Sequence, residues 1–230
     1  MELIDIQSPL SVDDSSILIP VNPVIEGYMR SLMKQTDHPV LIEMEELARL
    51  KKFPIIHRLV GVFLETQAKM INAKRVFEFG SGYGYSAYWF ARAVSADGYV
   101  ICSDGDSMNC ERAKEYLSAA ALWERIEFRV GMAQDVFAQT DGLFDICYND
   151  VDKEAYPQIW RMAKGRIRPG GLYIADNALW HGRVTMENYV DAVLGSTKAI
   201  AEHNRLVFND PEFDAFINPV RDGVIVARRK

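Results

Sequence analysis

The sequence predicts an α/β fold, a doubly wound and mostly parallel sheet of seven strands with helices on both faces and an N-terminal helical extension. Two observations carry this expectation. Short apolar runs recur from Arg75 onward, most of them separated by stretches of helix length. Parallel neighbours need such crossovers, whereas hairpins need only a few residues. The first run ends in Gly80-Ser81-Gly82-Tyr83-Gly84, a glycine turn where sheets of this kind bind ligands.

In chain order, residues 1–22 are mixed, with Pro9 and Pro20, and read as an arm. A helical preface fills 23–72. Val24, Ile25, Tyr28, Met29, Leu32 and Met33 repeat at a helical period, with Asn22 as N-cap and Pro23 just inside. Asp37-His38-Pro39 breaks that helix, a second covers Val40–Leu50, and a third follows Phe53-Pro54 from Ile55 to Ile71. The α/β core spans 73–230. Its strands are expected at 76–79, 99–103, 126–130, 144–149, 172–175, 205–208 and 223–227, the last two antiparallel. Helices are expected after the glycine turn through Ala93 and over 107–121, 153–167 and 186–202. The whole chain reads as a single domain.

Composition narrows the function. The 230 residues are 49% hydrophobic and 25% charged, ordinary for a globular chain. A net charge of −6 argues against a general nucleic-acid or anionic-membrane surface. No apolar run approaches the ~20 residues of a membrane helix, and the acidic start MELIDIQSPLSVDD lacks the basic opening of a secretory signal. The three cysteines form no CxxC pair, which fits a reducing, cytoplasmic setting. Cys102 and Cys147 fall inside apolar runs and read as buried small hydrophobes.

The glycine turn points to a ligand class. A dinucleotide fingerprint wants GxGxxG, but here the glycines fall at 80, 82 and 84, and position 85 is Tyr. Glu78, in the strand before the turn, would repel a pyrophosphate and suits a cation. S-adenosylmethionine carries an ammonium and a sulfonium, so the pattern fits it better than NAD. Asp104 ends the second strand, where a carboxylate accepts ribose hydroxyls in either case. Gly131-Met132-Ala133-Gln134-Asp135 follows the third strand with small residues suited to an adenine ring and Gln134 at its edge.

Two further strands end in oxygen donors, Asp150 in one and Asp176-Asn177 in the other. Neighbouring in the sheet, these would present three hard ligands for Mg²⁺ or Ca²⁺. Asp-Asn after a strand is otherwise a common turn, and Asp150 or Asp152 would also serve as a helix cap. Lys153 stands three residues after Asp150; close to a metal its charged form is disfavoured, which suits a base.

The stretches VFEFGSGYGYSAYWFARAV (76–94), FDICYNDVDKEAY (144–156), RPGGLYIADNALWHGRV (168–184) and VRDGVIVARRK (220–230) resemble the cation-dependent class I S-adenosylmethionine O-methyltransferases, the catechol and caffeoyl-coenzyme A type. The similarity covers roughly 55–230. It implies a Rossmann-like methyltransferase sheet. Glu78, Gly80 and Ser86 would hold the methionine part, with Gly82 and Tyr85 on the same turn. Asp104 would take the ribose, and Ala133 and Gln134 would border the adenine. Asp150, beside the cofactor, would join Asp176 and Asn177 on the metal, with Lys153 as base and Trp180 in the substrate pocket. The implied reaction is an in-line displacement onto one hydroxyl of a vicinal-dihydroxy aromatic small molecule or its thioester. Alternatives are methylation of a hydroxylated tRNA base, a NAD-dependent oxidoreductase on a related sheet, and a non-catalytic protein with the same fold. The apolar preface and arm, with the resemblance, lead to the expectation of a homodimer. The chain departs from the family where Pro54–Gly61 lacks its usual Glu-Gly-Gln segment and where Asn149 replaces an aliphatic residue. Asn149 is expected to point away from Asp150.

Overall fold

The computed structural model describes residues 23–33, 38–186 and 195–230. The arm at 1–22, the N-cap at Asn22, Asp37 and the predicted helical stretch 187–194 lie outside these residues. Three helices come first, α1 (Pro23–Leu32), α2 (Pro39–Lys51) and α3 (His57–Met70). His38 caps α2, its Nδ1 accepting from the Val40 amide at 3.3 Å.

The core then alternates β1 (Arg75–Phe79), α4 (Tyr85–Ala93), β2 (Tyr99–Asp104), α5 (Ser107–Ala119), β3 (Ile126–Val130), α6 (Ala133–Ala138), β4 (Phe144–Asn149), α7 (Tyr156–Ala163), β5 (Ile167–Ala175), α8 (Ser196–Phe208), β6 (Phe213–Asn218) and β7 (Val224–Arg229). The strands form one seven-stranded sheet in the order β3-β2-β1-β4-β5-β7-β6. Pairs from β3 through β5 are parallel, and β7 runs antiparallel to both β5 and β6.

Strand alternation feeds two cores. Val76, Val100, Cys102, Ile146, Tyr148 and Ile174 pack with α2, α3, α4 and α5. Phe77, Phe79, Ile101, Cys147, Tyr173 and Ile225 pack with α6, α7 and α8 on the other face. Successive side chains of a strand point to opposite faces, so central strands buried on both sides must be apolar at nearly every position. The helical preface joins the first core through α3, which packs on α4. Gly61 is what permits this approach, because a Cβ there would lie 2.2 Å from the Trp89 ring.

Two predicted boundaries are corrected. Arg205–Phe208 is the last turn of α8, and the strand paired with β7 is Phe213–Asn218. The run Arg-Leu-Val-Phe looks like a strand by composition, yet Thr197, Ile200, His203 and Val207 bury one continuous helical face. The predicted helix over 153–167 is a 3-10 turn, then α7, then a second 3-10 turn. Ile167 already pairs with Phe144, and the Pro169-Gly170-Gly171 stretch lies inside β5 across a register shift.

Candidate active site

The carboxyl ends of β1, β2, β4 and β5 open onto one cleft of about 1050 Å³. The glycine turn forms one side. Gly80 takes a φ of +79°, and a Cβ there would meet the Asp150 carbonyl oxygen at 2.7 Å. Only glycine suits that conformation in that space. Asp104 ties the turn to β2, accepting from the Gly82 amide at 2.9 Å, while its other oxygen accepts from the Asp106 amide and Asn109 Nδ2.

Gly80, Gly82, Tyr85, Ser86, Asp104, Ala133 and Gln134 all line the cleft. Tyr85 donates to Glu45 Oε1 at 2.7 Å, and Arg58 holds the same carboxylate, so the preface is fastened to the turn. Ala133 and Gln134 open α6, a helix the sequence reading did not foresee. Glu78 differs from this group. It is fully buried and does not line the cleft. Its Oε2 accepts from Cys102 Sγ at 3.5 Å, and among the described residues its Oε1 has no hydrogen-bond partner. Burial pushes its pKa up to about 7, opposed by the nearby Ser86 and Ser81 hydroxyls.

Facing the turn are the tips of β4 and β5. Asp150, Lys153, Asp176, Asn177 and Trp180 line the same cleft. The tips are joined through backbone, with the Asp150 amide donating to Phe79 O at 3.0 Å and the Asp176 amide to Asn149 O at 3.2 Å. Burial and then the Asp150 charge hold the Asp176 carboxyl well above the usual range, which marks the two carboxylates as electrostatic neighbours. Asp176 is 1% exposed; among the described residues its Oδ1 has no partner, and its Oδ2 meets Arg221 Nη1 at 3.2 Å. Asn177 donates through Nδ2 to Asp222 at 3.1 Å, leaving its oxygen as the remaining acceptor. Lys153 Nζ donates to Asp150 Oδ1 at 2.8 Å, to Val151 O at 3.1 Å and to the Tyr156 hydroxyl at 3.0 Å.

An orphaned buried carboxylate oxygen, a second carboxylate beside it and a free amide oxygen are the donor types a hard divalent cation takes. Among the described residues no group of three or more His, Cys, Asp or Glu could hold a metal ion; the third oxygen donor beside Asp150 and Asp176 is the Asn177 amide. Trp180 contributes a buried indole Nε1–H without a partner among the described residues.

Three residues of the site escaped the sequence reading. Tyr156 receives Lys153 and donates to the Asp176 backbone oxygen at 3.1 Å, bridging both tips. Asp222 pins Asn177 and the His181 amide. Arg221 pairs with Asp176. The one-turn spacing of Lys153 and Tyr156 was a usable signal. Arg221 and Asp222 arrive from a turn over forty residues away, with no local sign of their destination.

Behind the tips runs a buried polar chain. Asn149 Nδ2 donates to the Tyr173 hydroxyl at 3.0 Å, which meets His203 Nε2 at 2.9 Å. His203 Nδ1 pairs with Asn204 Oδ1, and Asn204 donates to Ala178 O at 2.7 Å. Asn149 thus contacts Tyr173 inside the protein, whereas Asp150 lines the cleft.

A family model described as O-methyltransferase matches residues 29–230. The chain belongs to this family. It is 31% identical to a catechol O-methyltransferase of Niastella koreensis, over 76% of this chain and 81% of the relative. It is 33% identical to caffeoyl-CoA O-methyltransferase 5 of Nicotiana tabacum, over 74% of each. Among solved structures, an O-methyltransferase from Bacillus cereus in complex with SAH superposes with a TM-score of 0.81 at 25% identity, covering 90% of this chain and 97% of that one. A methyltransferase from Geobacter sulfurreducens gives 0.77 at 28%, covering 91% and 98%. The enzyme class that follows is S-adenosylmethionine-dependent methyl transfer to oxygen. Among the described residues no helix is long and apolar enough to cross a membrane.

Proposed function

We propose that this O-methyltransferase methylates one of two adjacent hydroxyls on an aromatic small molecule or its thioester, and that it does so with a divalent cation held by Asp150, Asp176 and Asn177. The observation that carries this reading is the meeting of the β4 and β5 tips in the cleft that also contains the glycine turn, with Asp176 Oδ1 buried and unpartnered.

S-adenosylmethionine supplies a methyl group on an electrophilic sulfonium. Gly80, Gly82, Tyr85 and Ser86 form its bed, and the buried Glu78 carboxyl beneath the turn offers a counter-charge to its cationic end. Asp104 takes the ribose, and Ala133 and Gln134 border the base. A bound divalent cation supplies Lewis-acid lowering of the acceptor hydroxyl pKa. Lys153 removes the hydroxyl proton. Its Nζ is positioned by Asp150, Val151 O and Tyr156 before the acceptor arrives, and it takes the proton as the neutral amine. Trp180 walls the acceptor pocket and offers its indole N–H as a donor.

The deciding experiment is a methyl-transfer screen over catechols, hydroxycinnamoyl thioesters and hydroxylated nucleosides, each with Mg²⁺ and with a chelator. Turnover of a catechol or its thioester that the chelator abolishes supports the reading. Turnover confined to nucleosides, or unaffected by chelation, overturns it.

A further inference from the structure

Resting on the metal reading above, we propose that Arg221 is a built-in counter-cation of Asp176 that competes with the divalent metal for that carboxylate. The guanidinium stands 3.2 Å from Asp176 Oδ2. Asp176 is 1% exposed, so its charge is almost wholly stripped of water and depends on whichever cation sits beside it.

The local charges favour an exchange over joint occupancy. In the cleft two cations sit on the carboxylate pair, Lys153 on Asp150 and Arg221 on Asp176. A divalent ion on Asp176 would stand close to the Arg221 guanidinium on the same carboxylate, and the repulsion between the two cations in a partly dry cleft opposes joint occupancy. Of the two residents, Arg221 is the freer. Lys153 has three oxygen partners; the Arg221 guanidinium makes, among the described residues, its one hydrogen bond to Asp176.

The backbone around Arg221 is fixed, and its side chain is held, among the described residues, to Asp176 alone. It sits in the β6–β7 turn with a φ of +53°, closed by a Gly223 amide bond to Val220 O at 3.0 Å. The neighbouring Asp222 is pinned by Asn177 and the His181 amide. The Arg221 side chain is 28% exposed. It lines both the main cleft and a second cavity of about 690 Å³ beside α2. A swing of this partly exposed side chain toward solvent uncovers Asp176 without moving the sheet. The metal thus enters as Arg221 leaves, and its affinity is set below what the three oxygens alone would give.

The test is a titration of the full chain with Mn²⁺, read by calorimetry and by loss of the free-ion paramagnetic resonance signal. Arg221→Gln keeps an amide donor toward Asp176 and removes the charge; Arg221→Gly suits the left-handed backbone and guards against a folding failure. Both should bind Mn²⁺ about tenfold or more tighter than the parent chain. Arg49→Gln, which removes an equal charge from the exposed rim of the second cavity, should leave affinity within about twofold because solvent screens it. S-adenosylhomocysteine titration on each variant confirms the fold. Equal or weaker Mn²⁺ binding in Arg221→Gln, or equal tightening in Arg49→Gln, overturns the proposal alone. Absence of Mn²⁺ binding in every form, with S-adenosylhomocysteine still bound, overturns the metal reading and the proposal with it.

Discussion

Glu78 ties folding to pH through its burial. Its pKa in the folded chain lies at about 7, above its ordinary value of 4.5. A carboxyl raised in this way contributes its stability below pH 4.5, where both states are protonated, and loses it as pH rises through 7. The full swing is on the order of 3 kcal/mol. Glu78→Gln removes that slope. Its stability relative to the parent should therefore rise between pH 4.5 and pH 8, as measured by urea unfolding; parallel profiles would contradict the assigned burial effect. Asp150 is a site residue of a different kind, because its loss should spare the cofactor. Asp150→Ala should lower methyl transfer by about a hundredfold or more and change S-adenosylhomocysteine affinity only a few-fold, and normal turnover in it would remove Asp150 from the metal set. Individual residues of the site were legible to different degrees. Asp150, Asp176 and Asn177 stand out because acids and amides directly follow apolar strands. Tyr156 hid as an aromatic in a helix, and nothing local marks Arg221 for the cleft.

At the scale of elements, the β4 and β5 tips are held from behind by the chain from Asn149 through Tyr173 and His203 to Asn204. Burial holds the His203 ring neutral, its pKa down to about 4, so Nε2 can accept from the Tyr173 hydroxyl while Nδ1 donates to Asn204. Tyr173→Phe leaves Asn149 Nδ2 and His203 Nε2 buried without their partner. It should cost roughly 1–3 kcal/mol, measured as a shift in denaturant midpoint, and a cost near zero would mean the chain carries no weight. The elements themselves were mostly legible, because the central strands are short, doubly buried and apolar. The error at 205–208 came from reading a four-residue apolar run without the turns before it. The true edge strand, Phe213–Asn218, was missed because three of its six residues are only half-buried, two are exposed, and polar residues interrupt it.

The whole molecule should register its cofactor as stability. A ligand that binds only the folded state at about a hundred times its Kd adds roughly 2.7 kcal/mol, or about 5–10 °C in Tm for a chain of this size. Thermal unfolding with S-adenosylhomocysteine should show that rise; NAD at matched concentration should not, and a larger NAD shift would reverse the ligand assignment. The doubly wound architecture was readable because its spacing of strands and helices has few other solutions. Where the preface docks was not readable. It depends on a clearance at Gly61 and on the Tyr85–Glu45–Arg58 link, which join segments distant in sequence.

The Asp150 carbonyl presses so closely on Gly80 that no methyl group would fit between them. The proposed bed for the methyl donor and the proposed perch for the metal therefore share one wall. Occupancy on one side of a common partition is felt on the other, and such influence is obligatorily mutual. Whatever factor Mn²⁺ lends to S-adenosylhomocysteine affinity, S-adenosylhomocysteine must return to Mn²⁺. Paired titrations in both orders should yield matching factors different from one, and a factor of one would show the partition to be inert.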